Sequence, residues 1–166
     1  MTEKCKTSLL SFAVAAVFLT TYAAALGQGL KYHLGRSATA DEIRPLDIAI
    51  GPSGKELPPG SGTVKEGAKI YAEKCAVCHG ATGTEGPPPR TAGKPPRLVG
   101  KDALAAWSYA TSIWDFINRA MPGGEQSLRP NEVYAVTALL LYRNGIIQET
   151  DVMDAKTLPK VRMPNH

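Results

Sequence analysis

Apolar residues recur along this chain in three rhythms, and each predicts a different kind of element. The first is continuous: residues 9–26, LLSFAVAAVFLTTYAAAL, carry no charge, end in small residues and follow Lys4 and Lys6. That is the pattern of a secretory signal, with Ala23-Ala24-Ala25 as the cleavage site. At 18 residues the run also reaches the lower limit of a bilayer span, so an uncleaved anchor is the alternative. Both readings export the remainder of the chain.

The second rhythm is helical. TVKEGAKIYAEKC opens on Thr63 with Glu66 three residues on, a reciprocal capping pair, and Val64, Ala68, Tyr71, Ala72 and Cys75 follow at helical spacing. Gly67 inside this helix points to a close approach by another element. The partner expected is PNEVYAVTALLLYRNG, with Pro130 in the first turn, Gly145 just past the end, and Val133, Val136, Leu139, Leu140 and Tyr142 facing inward. Between them, TSIWDFINRAMPGG predicts a shorter helix that buries Ile113, Trp114, Ile117 and Ala120. The Pro-rich segment EGPPPRTAGKPPRLVG, residues 85–100, is expected to be irregular. The third rhythm is an alternation of Leu46, Ile48 and Ile50 with polar residues, preceded by a short helix start at Thr39 and Glu42. The organisation expected is a signal or anchor at 1–26, an extended arm at 27–62, a helical domain at 63–145 and a second arm at 146–166.

Composition narrows this picture only slightly. A chain of 166 residues, 43% hydrophobic, supports one core with extensions. The 19 Lys and Arg exceed the 15 Asp and Glu without clustering, so no nucleic-acid partner is indicated.

Candidate chemistry lies in EKCAVCHG, residues 73–80. Cys5 precedes the apolar run and is not placed as a lipid-anchor cysteine; if the signal is removed, only Cys75 and Cys78 remain. A structural zinc site needs four ligands, and neither a second cysteine pair nor a nearby His-rich segment exists. A thioredoxin-like disulfide would follow a strand, whereas a helix leads into Cys75. Covalent haem attachment fits: the two thiols add to the porphyrin vinyl groups and hold His79 beneath the iron as its proximal ligand. Trp107, Tyr109 and Trp114 are read as core or haem-packing residues, with a polar handle on a haem propionate open to Trp107 or Tyr109.

Cys75-Ala-Val-Cys78-His79 between two such helices, with a Met-Pro dipeptide downstream, resembles a class I cytochrome c over residues 63–145. The resemblance implies an all-α fold with one haem c, in which the flanking helices meet at a glycine and an aromatic residue, here Gly67 and Tyr142. PPRLVG is similar to the family's Gly-Pro-x-Leu-x-Gly segment except that Pro95 replaces the glycine. Pro96 would then accept the proximal imidazole proton on its carbonyl. Met121 stands where the family's sixth ligand lies and is the sole methionine within 63–145. A thioether ligand favours ferrous iron and raises the potential. The alternatives are an open sixth position or ligation by His33 or His166.

Both arms, together with the haem motif, resemble the cytochrome subunits of bacterial sulfite dehydrogenases and of the Sox sulfur-oxidation dehydrogenase. This implies a periplasmic electron carrier with no bond chemistry of its own, served by a molybdenum-cofactor catalytic subunit and delivering electrons to a downstream cytochrome c or oxidase. Membrane association is expected only if the N-terminal segment is retained. A free-standing or membrane-anchored carrier serving a terminal oxidase is the rival reading. The apolar content of the arms suggests that residues 30–62 and 146–166 lie against the larger subunit; the alternative is that both fold back on the cytochrome. Lys65, Lys69, Lys74, Arg90, Lys94 and Arg97 are cations available to guide an acidic partner or simply to be solvated. Arg129 occupies an N-cap position where Ser, Thr or Asp would be expected.

Overall fold

The computed structural model describes residues 35–86, 93–123 and 128–165. Expectations placed on the 9–26 run, His33, Arg90 and His166 lie outside the described residues. The chain divides into a unit ending at Ile43 and a unit running from Arg44 to His166. The described part of the first holds one short helix, α1 (Ala40–Ile43). Thr39 and Glu42 cap it as expected: Thr39 N–H donates to Glu42 Oε2 at 2.8 Å, and Glu42 N–H to Thr39 Oγ1 at 3.3 Å.

The second unit runs β1 (Ser61–Thr63), α2 (Val64–Lys74), α3 (Ala76–His79), α4 (Ala110–Ala120), α5 (Pro130–Arg143) and β2 (Val152–Asp154), then a 3₁₀ turn at Leu158–Lys160. The expected helical fold holds, with one addition: β1 and β2 pair antiparallel, Gly62 opposite Met153. No strand forms from the alternation of Leu46, Ile48 and Ile50, because no strand among the described residues pairs with that segment; Leu46 and Ile48 stay exposed while Ile50 is buried.

Helix α2 starts with the predicted capping box, Thr63 N–H donating to Glu66 Oε2 at 2.9 Å and Glu66 N–H to Thr63 Oγ1 at 3.3 Å. Val64, Gly67 and Tyr71 form its buried face, and Ala72 is exposed, contrary to expectation. Gly67 does meet α5, but not at Tyr142. A Cβ on Gly67 would stand 2.0 Å from the Ala135 carbonyl oxygen and 3.0 Å from Leu139 Cβ, whereas the Tyr142 side chain is 37% exposed. Backbone against backbone, rather than glycine against aromatic ring, sets this contact. Gly62 repeats it one element earlier, where a Cβ would lie 2.1 Å from Ala135 N.

Helix α5 is buried from Val133 to Leu141 on every face, not along a single stripe, because it packs against α2, α4 and both strands. Its end is a Schellman turn: Gly145 takes φ 71°, Ile146 N–H donates to Leu141 O at 3.0 Å and Gly145 N–H to Tyr142 O at 2.8 Å. Its start lacks a capping hydroxyl, as the sequence suggests. Glu132 offsets this by accepting Arg129 N–H at 2.7 Å and pairing with Lys74 Nζ at 2.8 Å. Those donors, Lys74 first, hold the Glu132 carboxyl below its ordinary range. On α4, Ile113, Trp114 and Ile117 are buried as predicted, Ala120 is exposed, and Asp115 is unexpectedly buried.

Asp115 explains part of the arm. It accepts Ile50 N–H at 2.9 Å and Arg119 Nε–H at 3.0 Å, while Tyr134 Oη–H donates to Pro58 O at 2.9 Å. Ile50 and Leu57 thereby enter the core. From the other end of the chain, Met153, Leu158 and Met163 enter the same core. Ile50 and Leu57 of the first arm and Met153, Leu158 and Met163 of the second therefore belong to the helical domain's own packing, which is the alternative in which the arms fold back on it. What stays apolar and exposed is Ile43, Leu46, Ile48 and Val152.

Candidate haem site

Helix α2 ends at Cys75, whose N–H donates to Tyr71 O at 2.9 Å, and the chain turns at once into α3. His79 N–H donates to Cys75 O at 3.0 Å and Cys78 N–H to the same oxygen at 3.1 Å, so both thiols and the imidazole sit on one helical turn. Gly80, at φ 78°, terminates α3, and the Tyr71 hydroxyl donates to its carbonyl at 3.0 Å. Burial first, then the nearby Cys75, pushes the Tyr71 hydroxyl up to about 12; Arg143, whose guanidinium lies 4.9 Å from the ring centroid, acts against that rise. Tyr71 is thus more than the packing residue its spacing suggested. A hydroxyl eight and nine residues ahead of its acceptors leaves no periodic signal in a sequence.

Burial also pushes the Cys75 thiol up, with Cys78 adding to the rise and Lys74 opposing it. Reactive disulfide pairs depend on the opposite shift. Both cysteines are free, Cys75 half-buried and Cys78 exposed.

His79 is 8% exposed, and its Nδ1 lies 2.9 Å from Pro96 O. A carbonyl only accepts, so Nδ1 carries the proton and Nε2 keeps its lone pair. The Pro96 loop is irregular, as its proline content predicts, yet it is anchored: Leu98 N–H and Val99 N–H both donate to Gly83 O, at 2.7 and 3.0 Å.

Two adjoining cavities meet at this point. Their open volumes, mouths included, are about 880 and 460 Å3, and His79, Leu98, Ile117, Met121 and Leu140 line both. Cys75 and Cys78 line the smaller; Pro96, Arg97 and Trp107 line the larger. Met121 is placed by α4, its N–H donating to Ile117 O at 3.0 Å as the helix ends. Trp107 packs against Phe116 with ring centroids 5.4 Å apart. Tyr109 stands at the start of α4 and lines neither cavity.

Two cations differ from their sequence reading. Lys74 is engaged by Glu132 and lines the smaller cavity. Arg97 forms part of the larger cavity's wall, with Nη2 donating to Lys101 O at 3.1 Å and Nε buried without a partner among the described residues. A periodic reading could not find that role, because the loop carrying Arg97 has no period.

A family model described as cytochrome c oxidase, cbb3-type, subunit III, matches residues 62–140. Among solved structures, the crystal structure of the sulfane dehydrogenase SoxCD from Paracoccus pantotrophus is similar at 34% identity, covering 81% of this chain and 70% of that chain with a TM-score of 0.61. Comparison with curated proteins gives no significant match. The chain belongs to the class I c-type cytochromes. Within that class it is similar to the Sox sulfane dehydrogenase, and membership implies haem c, with its iron, as the cofactor.

Proposed function

We propose that this is an exported, periplasmic monohaem cytochrome that takes single electrons from a molybdenum-containing sulfur-compound dehydrogenase subunit and passes them to another cytochrome or an oxidase. One observation carries the placement of the haem: Cys75, Cys78, His79 and Met121 line one cavity, and His79 is oriented in it by the Pro96 carbonyl at 2.9 Å.

The residues fit the group. Each cavity falls in the range of about 300–1,000 Å3 usual for cofactor clefts, and their walls are mostly apolar. Two thiols stand ready for thioether bonds, the His79 Nε2 lone pair and the Met121 thioether for iron, and Arg97, with its unpartnered Nε, for a haem carboxylate. Bound there, haem c supplies one reversible, iron-centred electron. The chain's own work is to attach, orient and shield. Cys75 and Cys78 would fix the group where α2 meets α3, His79 and Met121 would supply its iron ligands, and Leu98, Ile117, Val136 and Leu140 would exclude water. A thioether in the ligand set together with an imidazole would raise the potential, which suits an acceptor.

Mass spectrometry of the denatured mature protein is expected to show one added haem, and haem that extracts into acidified organic solvent would overturn attachment. The similarity to the SoxCD structure supports the dehydrogenase partner, and the match to an oxidase subunit model favours the second reading, a carrier serving a terminal oxidase. Purification from the native source separates them. Molybdenum in stoichiometric amount with sulfur-compound-dependent haem reduction supports the first, and a molybdenum-free cytochrome that an oxidase oxidises supports the second. N-terminal sequencing of the same preparation decides between a cleaved signal and an anchor.

A further inference from the structure

The proton on His79 Nδ1 points at a carbonyl in an irregular loop, and such a loop holds a carbonyl in place only if something fixes it. Asn144, the C-cap of α5, does so with both amide donors and its carbonyl oxygen. Its Nδ2 donates to Leu98 O at 2.9 Å and to Leu140 O at 2.8 Å, and its Oδ1 accepts Gly100 N–H at 3.2 Å. Two of these bonds grip the loop two and four residues beyond Pro96, and the third ties the amide to the buried helix. Leu98 N–H is held from the other side by Gly83 O. Asn144 is not needed to end α5, because the Schellman turn at Gly145 already satisfies the Leu141 and Tyr142 carbonyls.

We propose that Asn144 is a positioning residue for the haem's proximal ligand: by clamping the Leu98–Gly100 segment to α5, it keeps the Pro96 carbonyl aimed at His79 Nδ1–H. The inference rests on His79 being that ligand. Partners behind a metal-bound histidine fix its ring orientation and raise its basicity. Loss of the clamp weakens the donation from Nδ1, lowers imidazole basicity and shifts the iron toward the ferrous form.

The test uses the haem-loaded full chain and the Asn144→Ala and Asn144→Asp variants. Asn144→Asp keeps the size and the acceptor for Gly100 N–H but loses both donors, and it carries the test if Asn144→Ala does not retain haem. The readout is the His79 Nδ1–H signal by NMR. Its exchange with solvent is expected to quicken relative to wild type, and the reduction equilibrium to move toward ferrous iron. Asn144→Gln, which restores the amide, is expected to recover part of both. A variant with lowered thermal stability but unchanged Nδ1–H exchange and reduction equilibrium would make Asn144 merely structural and overturn the proposal. Failure of the underlying reading shows differently: the wild-type protein itself would then give no haem-shifted His79 ring signals.

Discussion

At the scale of single residues, function rests on a few side chains that each satisfy one atom of another. Met121 lines the cavity beside His79, and no other methionine among the described residues does. Oxidised wild-type cytochrome is expected to show the weak sulfur-to-iron band in the near infrared, and Met121→Ala to abolish it; a band that survives the substitution removes Met121 from the ligand set. Tyr71 and Tyr134 act on the scaffold instead. Burial pushes both hydroxyls from an ordinary value near 10 up to about 12. The folded state therefore holds these protons more tightly than the unfolded chain does. The stabilisation is fully present below about pH 10 and is lost as the pH rises through 12. In Tyr134→Phe the fall of the urea midpoint between pH 10 and 12 should flatten. At pH 7 the same variant loses the hydrogen bond to Pro58 O, a cost of about 1 kcal/mol. An unchanged alkaline slope would show that Tyr134 does not carry the effect.

Among the elements, the contact between α2 and α5 is the narrow point of the fold. Gly67 brings two helix backbones so close that a methyl group has nowhere to go: its carbon would stand 2.0 Å from the Ala135 carbonyl oxygen, and backbone does not yield like a flexible side chain. Helix propensity alone would make Gly67→Ala stabilising by about 1 kcal/mol. Overpacking of about 1–3 kcal/mol opposes this, and the severity of the clash puts the result at or beyond the upper end. Gly67→Ala is expected to lower the thermal midpoint by several degrees and to reduce haem incorporation. A midpoint at or above wild type would mean that the helices separate without cost. The periodic pattern located both helices, the Thr63 cap and the Gly145 terminator from local spacing. It misjudged the faces of α5, since an element wrapped by neighbours on all sides has no polar stripe from which to read its orientation.

For the whole molecule, the chain ends decide how large the core is. Met153, Leu158 and Met163 are fully buried, each worth about 1.5–3 kcal/mol, and β2 supplies the only pairing partner that β1 has among the described residues. Truncation after Gly145 is therefore expected to leave a chain that does not hold haem or that melts far below the full-length protein. A truncated cytochrome with the full-length midpoint would return these residues to the role of a docking arm. Deletion of residues 35–48 is the complementary experiment. Ile43, Leu46 and Ile48 are exposed, so the spectrum and the midpoint should survive, and any weakening of electron acceptance from the proposed dehydrogenase partner would locate the docking segment there.

The sequence alone determined the parts of this protein that are set by neighbours along the chain. Cys75, Cys78 and His79 fall within five consecutive positions and share one helical turn, and the caps of α2 and the end of α5 are bonds across three to five residues. Pro96 was reached only through a family resemblance; that its carbonyl lies 2.9 Å from His79 Nδ1 is a contact across 17 residues. Tertiary structure alone decided which apolar arm residues enter the core, that Asp115 latches the Ile50 amide, that Arg97 belongs to the cavity wall and that Asn144 fastens the Pro96 loop to α5. The physical reason is common to all four. Burial and hydrogen bonding between residues that are not neighbours along the chain depend on how the chain closes on itself, and a loop or arm without periodicity carries no local record of that closure.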